Sequence, residues 1–112
     1  MPAVNYKILG QSAPAATTWV DLYFVPATKE AIVSSIIVAN RGTLVASFRV
    51  AVCPAATATP AIQDYIYYDV TLANNDTFIA TVGITLAAAN RIKVYANTAD
   101  ITFQVFGSEL TP

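Results

Sequence analysis

The stretch from Asp69 to Glu109 reads DVTLANNDTFIATVGITLAAANRIKVYANTADITFQVFGSE and contains the clearest fold signal in the sequence. Extended segments rich in apolar, β-branched and aromatic residues alternate with short Asn/Asp-rich segments. Such alternation is typical of β-strands joined by turns, because Asn and Asp tolerate the left-handed backbone that tight turns require. This part of the chain therefore predicts consecutive strands without helices.

The same pattern continues upstream and predicts about eight strands in all. They are NYKIL (5–9), WVDLYFV (19–25), AIVSSIIVAN (31–40), ASFRVAV (46–52), DYIYYDVTL (64–72), TFIATVGITL (77–86), RIKVYA (91–96) and ITFQVFG (101–107). Pro14, Pro26, Pro54 and Pro60 fall between these runs, as expected because proline cannot donate a ladder hydrogen bond. We predict an all-β fold: a single-domain antiparallel β-sandwich over residues 1–112, jelly-roll-like or immunoglobulin-like.

Alternation along the strands predicts which side chains enter the core. Phe48, Val50 and Val52 share one face of a strand, with Arg49 on the other. Ile101, Phe103 and Val105 form the inward set of the last strand. The runs 32–38 and 78–86 alternate less strictly, because Ser34-Ser35 and Gly83 interrupt them. Those two strands are either central in a sheet or in contact with a neighbouring subunit.

The connections are of two kinds. Residues 10–18 (GQSAPAATT) and 54–63 (PAATATPAIQ) are uncharged and rich in Ala, Pro and Thr. They read as surface loops, or as arms that reach a neighbouring subunit. Asn74-Asn75-Asp76 reads as a hairpin turn, and residues 86–90 (LAAAN) as a closing turn rather than a short helix.

Composition points to an assembled protein. Hydrophobic residues make up 55% of the 112 residues and charged residues 12%, that is, six basic and seven acidic side chains. A chain of this size leaves about a third of its unfolded surface exposed, more than so few charges can cover. Its surface suits permanent contact with neighbouring subunits. The alternative is a compact monomer whose hydropathy comes from many small alanines.

The charge pattern argues against nucleic acid and membranes as partners. The net charge is −1, and the six basic residues are scattered, whereas binding to phosphate backbones needs a basic stripe. In RIKVYA, Arg91, Lys93 and Tyr95 are predicted to project from a solvent-facing strand face. No apolar run is long enough to span a bilayer. The start, MPAVNYKILG, lacks a signal-peptide pattern, which predicts synthesis in the cytoplasm.

The sequence offers no constellation for chemistry. It contains no histidine, and its four glycines do not form a phosphate-binding loop. Asp64 and Asp69 have an odd spacing, so on one strand they would point to opposite faces and could not flank a glycosidic bond. Cys53, the single cysteine, reads as a small hydrophobe at the end of a half-buried strand. We predict no catalytic residues, no cofactor-binding residues, no cofactor and no metal site, including at Asn74, Asn75 and Asp76.

The aromatic residues suggest an alternative function, namely ligand binding. They are numerous enough to form a stacking platform for host glycans: Trp19, Tyr23, Tyr65, Tyr67, Tyr68 and Tyr95. Against this, Tyr65 and Tyr67 are predicted to share one strand face and Tyr68 the other, so some of these rings must be core or interface anchors.

Six segments carry a resemblance to known proteins: YDVTLANNDTF (68–78), TVGITLAAANRIKVYA (81–96), ITFQVFGSE (101–109), KILGQSAP (7–14), WVDLY (19–23) and VANRG (38–42). They resemble segments of small all-β virion proteins of tailed bacteriophages, especially phages of cyanobacteria and related aquatic bacteria. The resemblance implies assembly into a virion, after synthesis in the host cytoplasm, and it carries over no catalytic or binding residue.

Resemblance and composition together predict a non-enzymatic bacteriophage virion structural protein. The preferred role is a capsid decoration or cement protein that stabilises the head by binding the major capsid protein or other virion subunits, and that forms a homo-oligomer. The alternative is a tail, baseplate or fibre component with a host-glycan-binding surface.

Overall fold

The computed structural model describes residues 3–56 and 59–112 and contains eight strands. They are β1 (Ala3–Ser12), β2 (Val20–Phe24), β3 (Glu30–Asn40), β4 (Ala46–Cys53), β5 (Tyr65–Leu72), β6 (Thr77–Leu86), β7 (Arg91–Ala96) and β8 (Ile101–Thr111), with one 3₁₀ turn at Ile62–Asp64. All eight predicted strands are confirmed. β1 and β8 extend further than predicted, so Gly10, Gln11 and Ser12 belong to a strand and not to a loop.

The strands form two antiparallel sheets. Sheet 1 has the order β1-β8-β3-β6, and sheet 2 has the order β2-β7-β4-β5. β1 pairs with β8, β2 with β7, β3 with β6 and β4 with β5. The first half of the chain is therefore one arm of a long antiparallel ribbon and the second half is the other. The ribbon is wound so that β8 also joins β3 and β7 also joins β4.

This winding is a jelly roll, which confirms the predicted β-sandwich and decides between its two forms. In an immunoglobulin-like sandwich, the first two strands of the chain pair with each other. Here β1 and β2 lie in different sheets. The connection 73–76, predicted as a hairpin turn, joins β5 of sheet 2 to β6 of sheet 1. It is a turn, with Asn75 at φ 58°, but the hairpin prediction is wrong because the two flanking strands do not pair.

One apolar core lies between the sheets. Its largest fully buried side chains include Phe48, Phe103, Ile36, Ile92 and Ile101. The predicted inward set Ile101, Phe103 and Val105 is fully buried, and so are Phe48 and Val50, whereas Val52 packs against the core from a half-buried position. Cys53 is the buried last residue of β4, as predicted. β3 is a central strand and β6 an edge strand of sheet 1.

The connections gather at the two ends of the sandwich. At one end Arg41 N donates to Asp100 O (2.9 Å) and Asn40 N donates to Asp76 O (2.9 Å). These hydrogen bonds join the β3–β4 connection to the β7–β8 and β5–β6 connections. Thr17 N, in the segment predicted as a loop or arm, donates to Ala96 O (2.8 Å), so that segment is held against its own sandwich.

At the other end Val25 N donates to Asn90 O (3.0 Å), and Asn90 Nδ2 donates to Pro54 O (3.2 Å). The segment 86–90 forms the predicted closing turn, in which Asn90 N donates to Ala87 O (3.1 Å). Within the predicted loop 54–63, residues 57 and 58 lie outside the described residues.

Sheet 1 needs glycine where its strands approach other backbone closely. A Cβ on Gly107 would overlap the carbonyl oxygen of Ile32, and a Cβ on Gly10 would overlap that of Leu22. Both glycines lie where the register shifts by one residue, next to Leu9 in β1 and opposite Ser34 in β3. The shifts bring backbone groups too close together for a side chain.

Gly107→Ala is expected to lower the free energy of unfolding by about 1–3 kcal/mol, because β3 or β8 must move to admit the methyl group. Gly83→Ala is the matched control, since no atom lies within 4 Å of a Cβ at that position. It is expected to change stability by less than about 1 kcal/mol, and in the stabilising direction. Urea unfolding midpoints measure both. Equal effects of the two variants would contradict the packing argument.

Candidate functional site

The outer face of sheet 1 is uncharged across its centre. Directly paired residues of adjacent strands point to the same face, so the register gives this surface row by row. Its three central rows are Tyr6-Ser108-Ile32-Thr85, Ile8-Phe106-Ser35-Thr81 and Gln11-Gln104-Ile37-Ile79. We call these twelve residues the uncharged face. A further row at one end, Val4-Leu110-Glu30, adds one carboxylate at a corner.

Large apolar side chains stand exposed on the uncharged face. Tyr6 is 87% exposed, Ile79 66%, and Ile8 and Ile32 are each about half exposed. A shallow groove of about 480 Å³ runs between β1, β8 and β3. Its lining includes Tyr6, Ile8, Ile32 and Phe106, with Lys7 at the β1 edge. Large exposed apolar side chains gathered on one face favour an interaction site.

The outer face of sheet 2 has the opposite character, because charged side chains pair across it. Asp21 on β2 accepts from Arg91 Nη1 (3.3 Å) and lies 2.8 Å from Lys93 Nζ. Lys93 is only 7% exposed, so the prediction that it projects into solvent is wrong. The β2 carboxylate, far away in sequence, neutralises the ammonium group and allows it to be buried.

Four of the predicted aromatic residues meet on sheet 2 around Arg49. The Trp19 ring lies 5.2 Å from Tyr95 and 5.8 Å from Tyr65, and Tyr65 lies 4.9 Å from Tyr68. The Arg49 guanidinium stacks 4.3 Å from the Tyr68 centroid and 4.9 Å from that of Tyr95. We call these five residues the aromatic cluster. Its rings are tilted or edge-on to one another, so they pack together and do not form a flat platform.

The cluster includes Tyr65 and Tyr68 together, which the alternation rule did not predict. β5 shifts register twice, on either side of Tyr67, and Asp69 has φ 51°. Each shift turns the following side chains to the other face. Tyr67 consequently packs inward against Phe78 (5.2 Å), and the predicted sharing of a face by Tyr65 and Tyr67 is wrong.

The two aspartates weighed as a carboxylate pair serve separate local roles. Asp69 accepts from Arg49 Nε (2.6 Å) and Nη2 (3.2 Å), and this hydrogen bonding holds the pKa of Asp69 below its ordinary value. Asp64 Oδ2 accepts from the backbone N of Ala61 (3.0 Å) at the start of the 3₁₀ turn. A shallow cavity of about 430 Å³ beside the turn is lined by Pro60, Ile62, Tyr65 and Tyr68.

A buried glutamate lies between the sheets near the edge formed by β1 and β2. Glu109 is 6% exposed, and its carboxylate accepts from the Tyr23 hydroxyl (2.6 Å) and from Lys7 Nζ (3.1 Å). The Tyr23 hydrogen bond, aided by Lys7, holds the pKa of Glu109 below its ordinary value of 4.5. Burial, with the hydrogen bond to Glu109, raises the pKa of Tyr23. Tyr23 is thus a core residue and takes no part in a ligand platform.

This buried group is not among the residues predicted from the sequence, although the sequence carries a signal for it. Glu109 continues the inward series Ile101, Phe103 and Val105 at every second residue. The predicted strand, residues 101–107, ends two positions before the glutamate, so that series stops short of it. A charged residue on the core face of a strand requires partners, here Tyr23 from the opposite sheet and Lys7.

Among residues 3–56 and 59–112, no three His, Cys, Asp or Glu side chains are grouped so that they could hold a metal ion. In the same part of the chain no helix has the length and hydropathy needed to cross a membrane.

Comparisons with known proteins reveal likeness at the level of the fold. No protein-family model matches the sequence, and no curated protein matches it. A chain in the crystal structure of the T13 infectious bursal disease virus particle aligns with a TM-score of 0.59 at 8% identity, over 97% of this chain and 30% of that one. A chain in the structure of the Gx strain of the same virus aligns with a TM-score of 0.56 at 10% identity, over 98% and 32%.

A third similar structure comes from a bacteriophage. A chain in the acidic stable capsid structure of Helicobacter pylori bacteriophage KHP30 aligns with a TM-score of 0.52 at 13% identity, over 100% of this chain and 94% of that one. This protein therefore spans about a third of the bursal disease virus chains and nearly the whole of the phage chain. Its fold is one that occurs in the chains of viral capsids.

Proposed function

We propose that this protein is a bacteriophage virion structural protein, and that within the virion it is a decoration or cement protein. It stabilises the head by binding the major capsid protein or neighbouring subunits. The observation that carries the proposal is the uncharged face of sheet 1, which offers apolar side chains to a partner without a charge that would need desolvation.

The distribution of charge supports a permanent contact on sheet 1. Charged side chains of sheet 2 are already paired within the molecule, as Asp21 is with Lys93 and Asp69 with Arg49. The uncharged face has no such pairs to break. Apolar burial is worth about 25 cal/mol per Å², so a modest contact repeated around a shell adds up to a large stabilisation.

The fold comparisons support the virion assignment, and they support a role for a single jelly roll as a separate virion chain. A phage capsid contains a chain that aligns over nearly its full length with this protein, so a jelly roll of this length can be a separate virion chain. The segments that resemble tailed-phage virion proteins are consistent with this role. We propose no catalytic step and no cofactor.

A tail, baseplate or fibre location is the second candidate, and the aromatic cluster favours it. Tyr68 is 58% exposed and Ile62, beside it, is 90% exposed. Exposed aromatic and apolar side chains on the face opposite the uncharged one could contact a host glycan. The rings pack edge-on around Arg49, however, and this leaves little flat ring surface for stacking a sugar.

Immunogold electron microscopy of intact particles with an antibody to this chain tests the location. Label over the head supports the decoration role, and label confined to the tail supports the second candidate. Unlabelled particles overturn the virion assignment. The antibody must be raised against the folded protein, so that exposed loops at the ends of the sandwich are recognised.

Particle occupancy tests the binding face. Ile32→Lys places a charge on the uncharged face, and we expect it to reduce the amount of protein bound to particles by about tenfold or more, because the charge must be buried. Ile62→Lys is the matched control on the 3₁₀ turn and is expected to leave occupancy unchanged. Equal occupancy of the two variants, both folded by circular dichroism, would count against docking through sheet 1.

A further inference from the structure

The free edge of β6 differs from the other three free edges of the sandwich. Proteins protect exposed edges with charged side chains, short strands or bulges, because unpaired backbone groups recruit further strands. β1 carries Lys7 and a bulge, β2 has five residues including Asp21, and β5 has Asp69 and two register shifts. β6 has ten residues, TFIATVGITL, with neither charge nor proline, and its one register shift lies at Val82 and Gly83.

The exposed row of β6 nearly reads the same in both directions. Thr77, Ile79, Thr81, Gly83 and Thr85 are all exposed and alternate strictly with inward residues. The register shift opposite Gly83 leaves that alternation unbroken. Threonines therefore stand at the centre and at both ends, with a large side chain on one side of the centre and none on the other. Ile79 is 66% exposed, and the space beside Gly83 is empty.

We propose that β6 pairs antiparallel with β6 of a second copy of this chain, about a two-fold axis that passes through Thr81. In this register Thr81 faces its own copy, Thr77 faces the second copy's Thr85, and Ile79 covers the second copy's Gly83. Threonine pairs across antiparallel strands are favourable, and the isoleucine fills the open space above the glycine. The contact is self-complementary, as a two-fold interface must be.

The inward residues of β6 fit the same register. Phe78 would lie opposite the second copy's Ile84, and Ala80 opposite its Val82. Phe78, Val82 and Ile84 are half-buried in the single chain, so pairing covers apolar surface that the edge leaves open. Asp76, next to the strand, would lie opposite the second copy's Leu86, so no two carboxylates meet.

The pairing joins two copies of sheet 1 into one eight-stranded sheet. Backbone hydrogen bonds along residues 77–85 supply affinity, as in strand addition generally. The two uncharged faces become continuous, and together they form one extended surface without charged side chains. This inference concerns association of the chain with itself and does not depend on the proposed function.

Sedimentation analysis of two double variants tests both the contact and its register. Thr77→Lys with Thr85→Glu places opposite charges against each other twice across the axis, whereas Thr77→Lys with Thr85→Lys opposes like charges twice. We expect the wild type and the Lys/Glu variant to sediment as dimers. The Lys/Lys variant should dissociate on the order of tenfold more readily at low salt.

Three results would overturn the proposal: a wild type that is monomeric at its highest soluble concentration, an oligomer with an odd number of chains, or equal association of the two double variants. Both variants change the same two exposed positions, so circular dichroism spectra should match and folding defects cannot account for a difference. Head or tail labelling bears on none of these outcomes.

Discussion

Phe103→Ala is expected to lower the free energy of unfolding by about 3–5 kcal/mol, the usual cost of removing a large aromatic side chain from a packed core. Phe103 is fully buried in β8, and its ring lies 6.0 Å from that of Phe48 in an edge-on arrangement. The two rings come from different sheets, so the substitution removes a contact between the layers and leaves a cavity there. Denaturant unfolding followed by circular dichroism measures the loss.

Phe106→Ala is the matched control in the same strand. Phe106 is half-buried on the uncharged face of sheet 1, so its removal opens no cavity between the sheets. We expect a loss of about 1 kcal/mol or less in the isolated protein. If the two variants lost equal stability, the assignment of Phe103 to the core and Phe106 to the outer face would be wrong.

Glu109→Ala is expected to cost about 3 kcal/mol. A buried hydroxyl left without an acceptor costs about 1–3 kcal/mol, and hydrogen bonds to a charged group contribute about 1.5–3 kcal/mol. Tyr23 loses its acceptor, whereas Lys7, whose side chain is 45% exposed, can turn to solvent. The double variant Tyr23→Phe with Glu109→Met removes both partners with similar shapes and should recover most of the stability. A double variant as unstable as Glu109→Ala would contradict this account.

The same residue makes stability depend on pH. Because the folded protein holds the pKa of Glu109 below 4.5, the folded state binds this proton less readily than the unfolded chain does. The carboxylate therefore contributes its full stabilisation above pH 4.5, and the contribution is lost as the pH falls through the lower, folded pKa. Glu109→Gln should show a shallower loss of stability below pH 4.5 than the wild type. Parallel curves would show that other carboxylates carry the acid sensitivity.

Period-two alternation predicted the strands and much of the core, because each of those inferences depends on residues close in sequence. The burial of Ile101, Phe103 and Val105 follows from three positions in one strand. Sheet order does not, because β1 meets β8 across a separation of about a hundred residues, as the contact between Lys7 and Glu109 shows. A single sequence does not indicate which strands pair when they are so far apart in the chain.

The errors about side-chain direction have local physical causes. Bulges in β5 place Tyr65 and Tyr67 on opposite faces. Composition alone does not reveal a bulge, so the alternation rule predicts the same face for both. Lys93 is predicted to face solvent because its partner, Asp21, belongs to a strand far away in the sequence. Both errors concern sheet 2, where charges and aromatic rings depend on cross-strand partners, and none affects the uncharged face.

The wound ribbon also governs when the chain can fold. Every pairing in sheet 1 joins an early strand to one from the second half of the chain, and β8, the last strand, lies at the centre of that sheet. On the ribosome, β1, β3 and β6 cannot form their sheet until β8 has emerged. Folding is therefore expected to be a single late event, on the millisecond-to-second scale typical of topologies with distant contacts. A chain that still lacks β8 cannot present the uncharged face, because Gln104, Phe106 and Ser108 of that face belong to β8.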